Sequence, residues 1–271
     1  MITQTFILDS KIALEIQKTR IAVATRLYSS NVESLVRENK NYKTLLAMRK
    51  NKDCDRKETA KLTKKLLNEQ LKIRGIPEEE FAGQLEGIKK NYAPYQQLVA
   101  AEKIAFKLME PQLAQIPIYQ NWMKIVRGLG VRYAVKLLSN IRDIQRFENP
   151  SKLRTYCGCA PGSVRRAGIE ANFNPELKGV LLGQVAENFL KNTSQYKQIY
   201  DEKKTYYNKL HPEAVVDSLA VQVKRLEEQL GRKLKKGEAK ELWTKSKIHN
   251  YCKKTMINRC IVDLWMAWWL S

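Results

Sequence analysis

The amino-acid sequence predicts an all-α protein, and three observations support that prediction. Apolar residues recur at the spacing of an amphipathic helix along almost the whole chain. No convincing set of alternating strands interrupts them. Prolines break the helical pattern between Gln112 and Tyr119. We therefore predict a helical arm, similar to a coiled coil, over residues 1–116, followed by a second helical domain over residues 117–271.

The arm is predicted to contain a first helix with Asp9 and Ser10 as candidate N-caps. Its apolar stripe consists of Ile12, Ile16, Val23 and Leu27. Three further stripes follow, Leu62–Leu66–Ile73 closed by Gly75, Phe81–Leu85–Ile88, and Leu98–Ala101–Ala105–Leu108 stopped near Pro111 and Pro117. The heptads are not sustained, so an arm that pairs with itself or with another subunit, as in a homo-oligomer, is an interpretation rather than a necessity of the spacing.

Two helices of the second domain are predicted to begin at an Asn-Pro pair, Asn149-Pro150 and Asn174-Pro175. The asparagine accepts from free backbone N–H groups, and proline has the right φ for the first helical position. The stripe after the second pair is Leu177, Leu181, Val185 and Phe189. A further helix, ended by Gly231, carries Leu219, Val223, Leu226 and Leu230.

The charge of the chain is strongly unbalanced. There are 49 Lys and Arg against 28 Asp and Glu, a formal net charge of +21. So large an excess repels itself and is best tolerated beside a polyanion, of which nucleic acid is the commonest. A merely solvated surface is the alternative. The basic residues cluster between Arg37 and Arg74 and between Arg232 and Lys254, which favours a binding face.

Cysteine and histidine usage argues against a metal site. The five cysteines are Cys54, Cys157, Cys159, Cys252 and Cys260, with no CxxC pair, and only two histidines are present, His211 and His249. We expect reduced thiols, no metal and no cofactor. The N-terminus lacks a signal-peptide pattern, and the longest apolar run, residues 261–270, is too short to span a bilayer. We therefore expect a soluble, cytoplasmic protein with no membrane partner.

The most specific local pattern lies between Ile125 and Leu138. Gly128 and Gly130 flank Leu129, and a helix carrying small Ala134 follows, as in a helix-hairpin-helix. The glycines allow a tight turn that brings backbone N–H groups at a helix N-terminus against a phosphate. The alternative is a tight turn between two core helices. The candidate nucleic-acid-binding residues of this segment are Arg127, Gly128, Gly130, Arg132, Tyr133 and Lys136.

A second candidate segment is the Gly- and Pro-containing loop that follows Tyr156. A helix is predicted to end at Gly158, and the loop then carries Ser163 and the adjacent arginines Arg165 and Arg166. The arginines suit phosphate contacts or a solvated loop. Ser163 is a weak candidate nucleophile, because no base is visible nearby and a turn serine is the simpler interpretation.

Aromatic residues form two further patterns. Tyr196, Tyr200 and Tyr207 alternate with Lys197, Lys203 and Lys204, an arrangement that suits stacking on exposed bases or, more commonly, half-buried packing. The Trp265, Trp268 and Trp269 cluster indicates core packing or a subunit contact.

From about Pro117 onward the sequence resembles the C-terminal domain of the insertion-sequence one-hundred-and-ten family of transposases, which is related to the pilin-inverting recombinase Piv. Several short motifs carry the resemblance in order. These are Gly128-Leu129-Gly130 with Ala134; Ile144-Gln145-Arg146-Phe147 with Leu153 and Tyr156; Gly158-Cys159-Ala160-Pro161; Asn174-Pro175-Glu176-Leu177-Lys178; Tyr200-Asp201-Glu202-Lys203; and the His249 helix leading to Leu264-Trp265.

The resemblance implies two catalytic parts that the sequence does not match. The family carries an N-terminal RuvC-like nuclease domain with acidic metal ligands on strands, but after Phe6-Ile7-Leu8-Asp9 no alternating segment or later acidic set follows. The family also places a serine nucleophile just after its Gly-Leu-x-Pro loop, where this sequence reads Arg166-Ala167-Gly168. Ser163 lies earlier in the loop. We therefore expect catalysis to be lost.

The sequence thus predicts a catalytically inactive relative of these transposases that binds mainly the DNA backbone. An active transposase or site-specific recombinase is the first alternative, acting by serine strand exchange through Ser163 or with a partner's nuclease domain. Since family members are guided by a structured RNA, RNA is a second candidate ligand. A helical oligomerisation protein whose charge only keeps it soluble is the remaining alternative.

Overall fold

A computed structural model describes residues 2–50, 56–164, 168, 170–216, 219–234, 238 and 241–271. Within these ranges the chain is helical and contains no strand, which confirms the all-α prediction. The helices are α1 Gln4–Arg37, α2 Tyr42–Lys50, α3 Arg56–Ile73, α4 Glu78–Asn91, α5 Ala93–Ala114, α6 Val131–Ile141, α7 Pro150–Tyr156, α8 Pro175–Gly179, α9 Ala186–Lys191, α10 Lys197–Leu210, α11 Pro212–Val216, α12 Leu219–Leu230 and α13 Lys245–Trp269. The described residues also include two π-helical segments, Tyr119–Met123 and Val180–Val185.

The chain divides into two compact units. One consists of Met1–Ser10 with Leu108–Ser271, and the other of Lys11–Lys107. The predicted domain boundary at residues 116 and 117 stays a prediction. Both units carry a surplus of Lys and Arg over Asp and Glu, so the positive charge of the chain is not confined to one of them.

The Lys11–Lys107 unit has its own apolar core. Eight buried side chains from α1, α2, α3 and α4 form it, namely Val32, Val36, Leu45, Leu66, Leu67, Leu71, Phe81 and Leu85. A buried polar group joins α1 to α5, where Glu102 accepts from the Gln17 side chain at 2.9 Å and from Arg20. Because its partners lie on α1, the nearly inaccessible Glu102 carboxylate helps to set how the two helices align.

The predicted start of α1 is wrong. The helix begins at Gln4, and Thr3 Oγ1 accepts from the Phe6 amide at 3.1 Å. Asp9 and Ser10 therefore lie inside the helix, where Asp9 accepts from Gln112 at 2.7 Å. The predicted stripe is also displaced, because Ile12 is 53 % exposed whereas the neighbouring Ala13 is buried. Thr3 therefore caps the helix in place of Asp9 and Ser10.

Helix α5 ends between Pro111 and Pro117, as predicted, although Pro111 itself lies within the helix. The helix continues through it to Ala114. Proline removes one backbone hydrogen bond and crowds the preceding turn. Met109 and Leu113 on either side of it are almost completely buried, and their packing holds the last turn in place.

The C-terminal helix α13 is the centre of the larger unit and packs mainly against α10 and α7. Its buried side chains are Ile248, Cys252, Met256, Ile257, Cys260, Ile261 and Leu264. Near its end, the Trp265 indole N–H donates to the Phe147 carbonyl at 2.8 Å, and its ring stacks on Trp269. Part of the predicted tryptophan cluster therefore packs within the unit.

A continuous helical stretch formed by α8, the Val180–Val185 segment and α9 lies against α6 and α13. Its predicted stripe of Leu177, Leu181, Val185 and Phe189 is buried. Both predicted Asn-Pro starts are confirmed. The Asn149 side chain accepts from the Lys152 amide, and the Asn174 side chain accepts from the Leu177 amide, each at 3.0 Å.

Cys157, Cys159, Cys252 and Cys260 are free and buried, while Cys54 lies outside the described residues. Among the described residues, no three His, Cys, Asp or Glu side chains come together as a metal-binding group. The helices of this described part include none long and apolar enough to cross a bilayer.

Candidate nucleic-acid interface

The turn predicted around Gly128 and Gly130 is anchored by two buried side chains. After the Tyr119–Met123 segment, Val126 and Leu129 point into the core of the larger unit, with 3 % and 2 % of their surface exposed. Gly130 then serves as N-cap of α6. The description of this segment as a helix-hairpin-helix stays a prediction.

Gly128 lies in close contact with α9. Its φ of +92° belongs to the left-handed region that favours glycine. A Cβ at this position would lie 3.1 Å from Phe189 Cδ1 and 3.2 Å from the Asn188 carbonyl oxygen. The Asn188 side-chain amide also donates to the Gly128 carbonyl at 2.6 Å. The turn is therefore held in place by the core helix α9.

Gly130 has the opposite surroundings. Its φ is −74° and its ψ 175°, and a Cβ at this position would meet no atom within 4 Å. Arg127 and Arg132 on either side are exposed, and Tyr133 is half-buried. From Lys124 to Arg142 the chain carries five cationic residues and no carboxylate. The start of α6 is thus an open surface of positive potential.

Lys136 lies one turn beyond Arg132 but is largely buried. Only 8 % of its surface is exposed, and Nζ donates to Gln184 Oε1 at 2.8 Å. Its ammonium group therefore faces the Val180–Val185 segment. The predicted cations of this turn therefore differ in exposure. Arg127 and Arg132 are exposed, whereas Lys136 is largely buried and faces the Val180–Val185 segment.

Two lysines hold the first part of the loop after α7. Lys178 donates to the Ser163 carbonyl at 2.6 Å, and Lys254 donates to the Ala160 carbonyl at 3.3 Å. Gly158 lies where the loop leaves α7, and its φ of +66° belongs to the left-handed region that favours glycine. A Cβ at this position would also lie 2.5 Å from the Phe173 ring. Arg165 and Arg166, the predicted contacts of this loop, lie outside the described residues.

Cys159 belongs to this loop, and its side chain is fully buried. Burial raises the pKa of its thiol to about 11, although Lys178 and Lys254 act in the opposite direction. Burial likewise raises the pKa of Cys157. Since the thiolate is the nucleophilic form, neither thiol is suited to covalent chemistry at neutral pH.

Ser163, the weak candidate nucleophile, is half-buried. Its amide lies 3.4 Å from the Ala160 carbonyl, and its own carbonyl accepts from Lys178. Within the described part of the chain, neither a histidine nor a carboxylate hydrogen-bonds its hydroxyl group. These contacts are those of a turn residue.

The tyrosines predicted on α10 have different environments. Tyr196 and Tyr200 are buried, and their hydroxyl groups bond Asp263 Oδ2 at 3.0 Å and His249 Nδ1 at 2.6 Å. Both therefore serve packing. Tyr207 is partly exposed and contacts rings from distant parts of the chain.

These rings form what we call the ring cluster, consisting of Tyr206, Tyr207, His211, Trp243 and Tyr251. Sequence reasoning missed it, because Trp243 and Tyr251 follow α10 by more than thirty residues. The available signal was the presence of two aromatic residues, Trp243 and Tyr251, within the second basic stretch.

Residues 121–185 match the model of the transposase IS116/IS110/IS902 family. Over these residues the chain is similar to these transposases. The match confirms the predicted resemblance over the turn at Gly128, α6, α7, the loop after it and the helical stretch up to Val185. No curated protein and no solved structure matches the chain.

Proposed function

We propose that this IS110-related chain is a nucleic-acid-binding protein that grips mainly the DNA backbone and carries no strand-exchange activity of its own. The start of α6 is the proposed centre of the interface. Its contact residues are Arg127, Gly128, Gly130, Arg132 and Tyr133. The buried Lys136 adds positive potential beside them, and the neighbouring loop contributes Arg165 and Arg166.

The observation that carries the proposal is the open surface at Gly130. The first amides of a helix and the positive end of its dipole attract phosphate. Here that end adjoins two exposed arginines, and no side chain at position 130 covers it. Such contacts hold the backbone and carry no sequence information, so we expect weak sequence preference.

The loss of catalysis is supported by the sequence of the loop. The positions that correspond to the family's serine nucleophile read Arg166-Ala167-Gly168. Ser163 is nearby, but the described contacts around it provide no base to activate the hydroxyl group. We propose that the loop contributes cations rather than a nucleophile.

The test is a duplex-binding titration by fluorescence anisotropy at several salt concentrations. We expect affinity to fall steeply with salt, because each neutralised phosphate releases counterions. The double variant Arg127→Glu, Arg132→Glu should bind at least about tenfold more weakly, with a smaller salt slope. The matched control is the double variant Lys103→Glu, Lys107→Glu, which reverses two exposed lysines of the other unit. Equal weakening by both, or a flat salt dependence, would contradict the proposal.

An active transposase or recombinase is the second candidate, and the family match is the observation that favours it. It would act by serine strand exchange through Ser163, guided by an RNA. Incubation with supercoiled DNA and copurified RNA should then give strand cleavage or a covalent protein–DNA adduct. Loss of the adduct in Ser163→Ala would establish this alternative, and no adduct from the wild type would exclude it under those conditions.

Self-association through the helical arm is a further part of the proposal. Long α1 and the exposed apolar side chains Ile12 and Ile21 support it. Light scattering at increasing concentration measures it directly. A constant monomer mass would remove the oligomer from the proposal and leave the interface at α6 unaffected.

A further inference from the structure

The ring cluster differs from a fully buried aromatic core, because its stacked rings are flanked by rings that stay half exposed. Trp243 lies against His211 at 4.0 Å and against Tyr207 at 5.3 Å between ring centroids, with nearly parallel planes. At its edges Tyr206 is 55 % exposed and Tyr251 is 48 % exposed. Aromatic rings gain stability by burial, so two half-exposed rings on a packed stack leave apolar faces for another planar group.

Cations accompany these rings. Lys247 lies 4.9 Å from the Trp243 ring centroid, and Lys203 lies 5.6 Å from that of Tyr206. Aromatic faces interleaved with cations suit unpaired nucleotides, whose bases stack and whose phosphates are anionic. An apolar surface of a partner protein would pack against the rings, but it would leave the positive charges of the surrounding lysines without a counterpart.

A cavity of about 430 Å³ adjoins the ring cluster between α10 and the start of α13. Lys204 and Lys245 bring positive charge to its wall, while Asn208, Ser246 and His249 bring hydrogen-bonding groups. None of its described lining residues is a carboxylate. Two carboxylates lie close by, and both have partners: Glu187 accepts from Lys253 at 2.6 Å, and Glu213 lies 3.2 Å from His211 Nδ1. The lining therefore suits an anion.

The cavity and the ring cluster share the same helices. Lys204, Tyr207, Asn208 and His211 follow one another at helical spacing along α10 and its end. Trp243 precedes Lys245 by two residues, and His249 precedes Tyr251 by two. Stacking faces and an anion-binding cavity are thus held side by side on a packed pair of helices.

We infer that this surface binds an unpaired nucleotide of a single strand, its base stacked on the ring cluster and its phosphate held by Lys204 and Lys245. The inference rests on the proposed function, since it adds a single-strand site to a protein proposed to grip duplex backbone. DNA and RNA share the required chemistry. A transposase relative with both sites could hold a duplex and a displaced or looped strand together.

The test measures anisotropy of fluorescein-labelled dT20, U20 and a 20-base-pair duplex with the full chain. We expect Tyr251→Leu, and separately Lys204→Ala with Lys245→Ala, to weaken dT20 or U20 binding by about tenfold or more. Duplex binding should stay within about twofold. The controls are Tyr28→Leu, a similarly exposed tyrosine, and Lys107→Ala, both in the other unit. Circular dichroism and thermal melting verify that each variant is folded.

A 20-mer whose central sugars lack bases separates stacking from charge. The wild type should bind it more weakly than dT20, and Tyr251→Leu should cause no further loss. Equal binding of the abasic and intact strands, or dT20 and U20 affinities unchanged in both variants, would overturn the inference. The relative affinity for dT20 and U20 identifies the natural strand.

The same titrations separate this inference from the proposed function. Arg127→Glu with Arg132→Glu should weaken the duplex and leave dT20 nearly unchanged. Duplex binding without single-strand binding would overturn the ring-cluster site alone. Single-strand binding lost in Tyr251→Leu, with no duplex binding by the wild type, would overturn the α6 interface alone.

Discussion

Asn188 and Gly128 are joined across sixty residues of sequence, because the Asn188 side-chain amide donates to the Gly128 carbonyl oxygen at 2.6 Å. The same part of α9 approaches the Gly128 α-carbon so closely that a methyl group would touch Phe189. The turn before α6 is therefore positioned by a core helix. Any ligand at the start of α6 meets a surface whose shape is set in advance.

Gly128→Ala should lower the free energy of unfolding by roughly 1 to 3 kcal/mol. The variant places a Cβ on a backbone with φ +92° and brings it within 3.1 Å of the Phe189 ring. Urea denaturation followed by circular dichroism measures the change.

Gly130→Ala is the matched control for Gly128→Ala. Its φ of −74° suits any residue, and a Cβ would meet open space, so stability should change by less than about 1 kcal/mol. If phosphate approaches the α6 amides, this variant should nevertheless weaken duplex binding. Similar destabilisation by both alanines would show that the turn is not held by α9 as described.

The sequence predicted the turn at Gly128 and Gly130 and the helix after it, because a Gly-x-Gly before an apolar-periodic segment is typical of a tight turn that leads into a helix. It could not predict Asn188, whose role depends on a tertiary approach. Lys136 shows the same limit. Helical spacing placed Lys136 on the same side of α6 as Arg132. Only the position of Gln184 shows that the Lys136 ammonium group faces the Val180–Val185 segment.

Lys136→Glu should destabilise the fold by roughly 2 to 4 kcal/mol, whereas Arg132→Glu should change stability by less than about 0.5 kcal/mol. The first puts a carboxylate into a site that is 8 % exposed and faces the Gln184 side-chain oxygen. The second lies at the surface. Paired urea titrations compare them. Equal stabilities would place the Lys136 side chain in solvent, contrary to the structure.

Local signals were reliable where the cause is local. Asn149 and Asn174 cap their helices as predicted, since a capping bond spans only three residues. The first helix was misplaced because Asp9 and Ser10 are also good caps, and only packing selects the start at Gln4. The ring cluster was beyond prediction, because His211 and Trp243 meet only after α10 and α13 have packed.

Glu102→Leu should lower stability by roughly 2 to 4 kcal/mol, because it removes the buried carboxylate that accepts from Arg20 and Gln17. The Glu102 side chain is only 4 % exposed, and its carboxylate bonds both residues. The control is Glu15→Leu, which removes a pair with Lys18 whose side chains are both more than half exposed. That change should cost less than about 0.5 kcal/mol. Comparable losses in thermal melting would contradict a buried polar link between α1 and α5.

Cys159 should make the fold sensitive to alkaline pH. Burial raises the pKa of its thiol in the folded state to about 11, from an ordinary value near 9. The folded protein thus holds this proton more tightly than the unfolded chain. The thiol's contribution is therefore complete below about pH 9, is lost as pH rises to about 11, and totals at most about 2 to 3 kcal/mol.

The measurement compares wild type with Cys159→Ala by guanidinium denaturation from pH 8 to 11 in the presence of reductant. The wild type should lose stability more steeply across this window, so that the advantage it has over Cys159→Ala at pH 8 shrinks towards pH 11. The positive charges of Lys178 and Lys254 lower the pKa of this thiol and so oppose the effect of burial, which makes the loss smaller than burial alone would cause. Two parallel curves would show that the Cys159 thiol ionises as freely in the folded protein as in the unfolded chain. The Cys159 side chain would then have to be open to water, contrary to the structure.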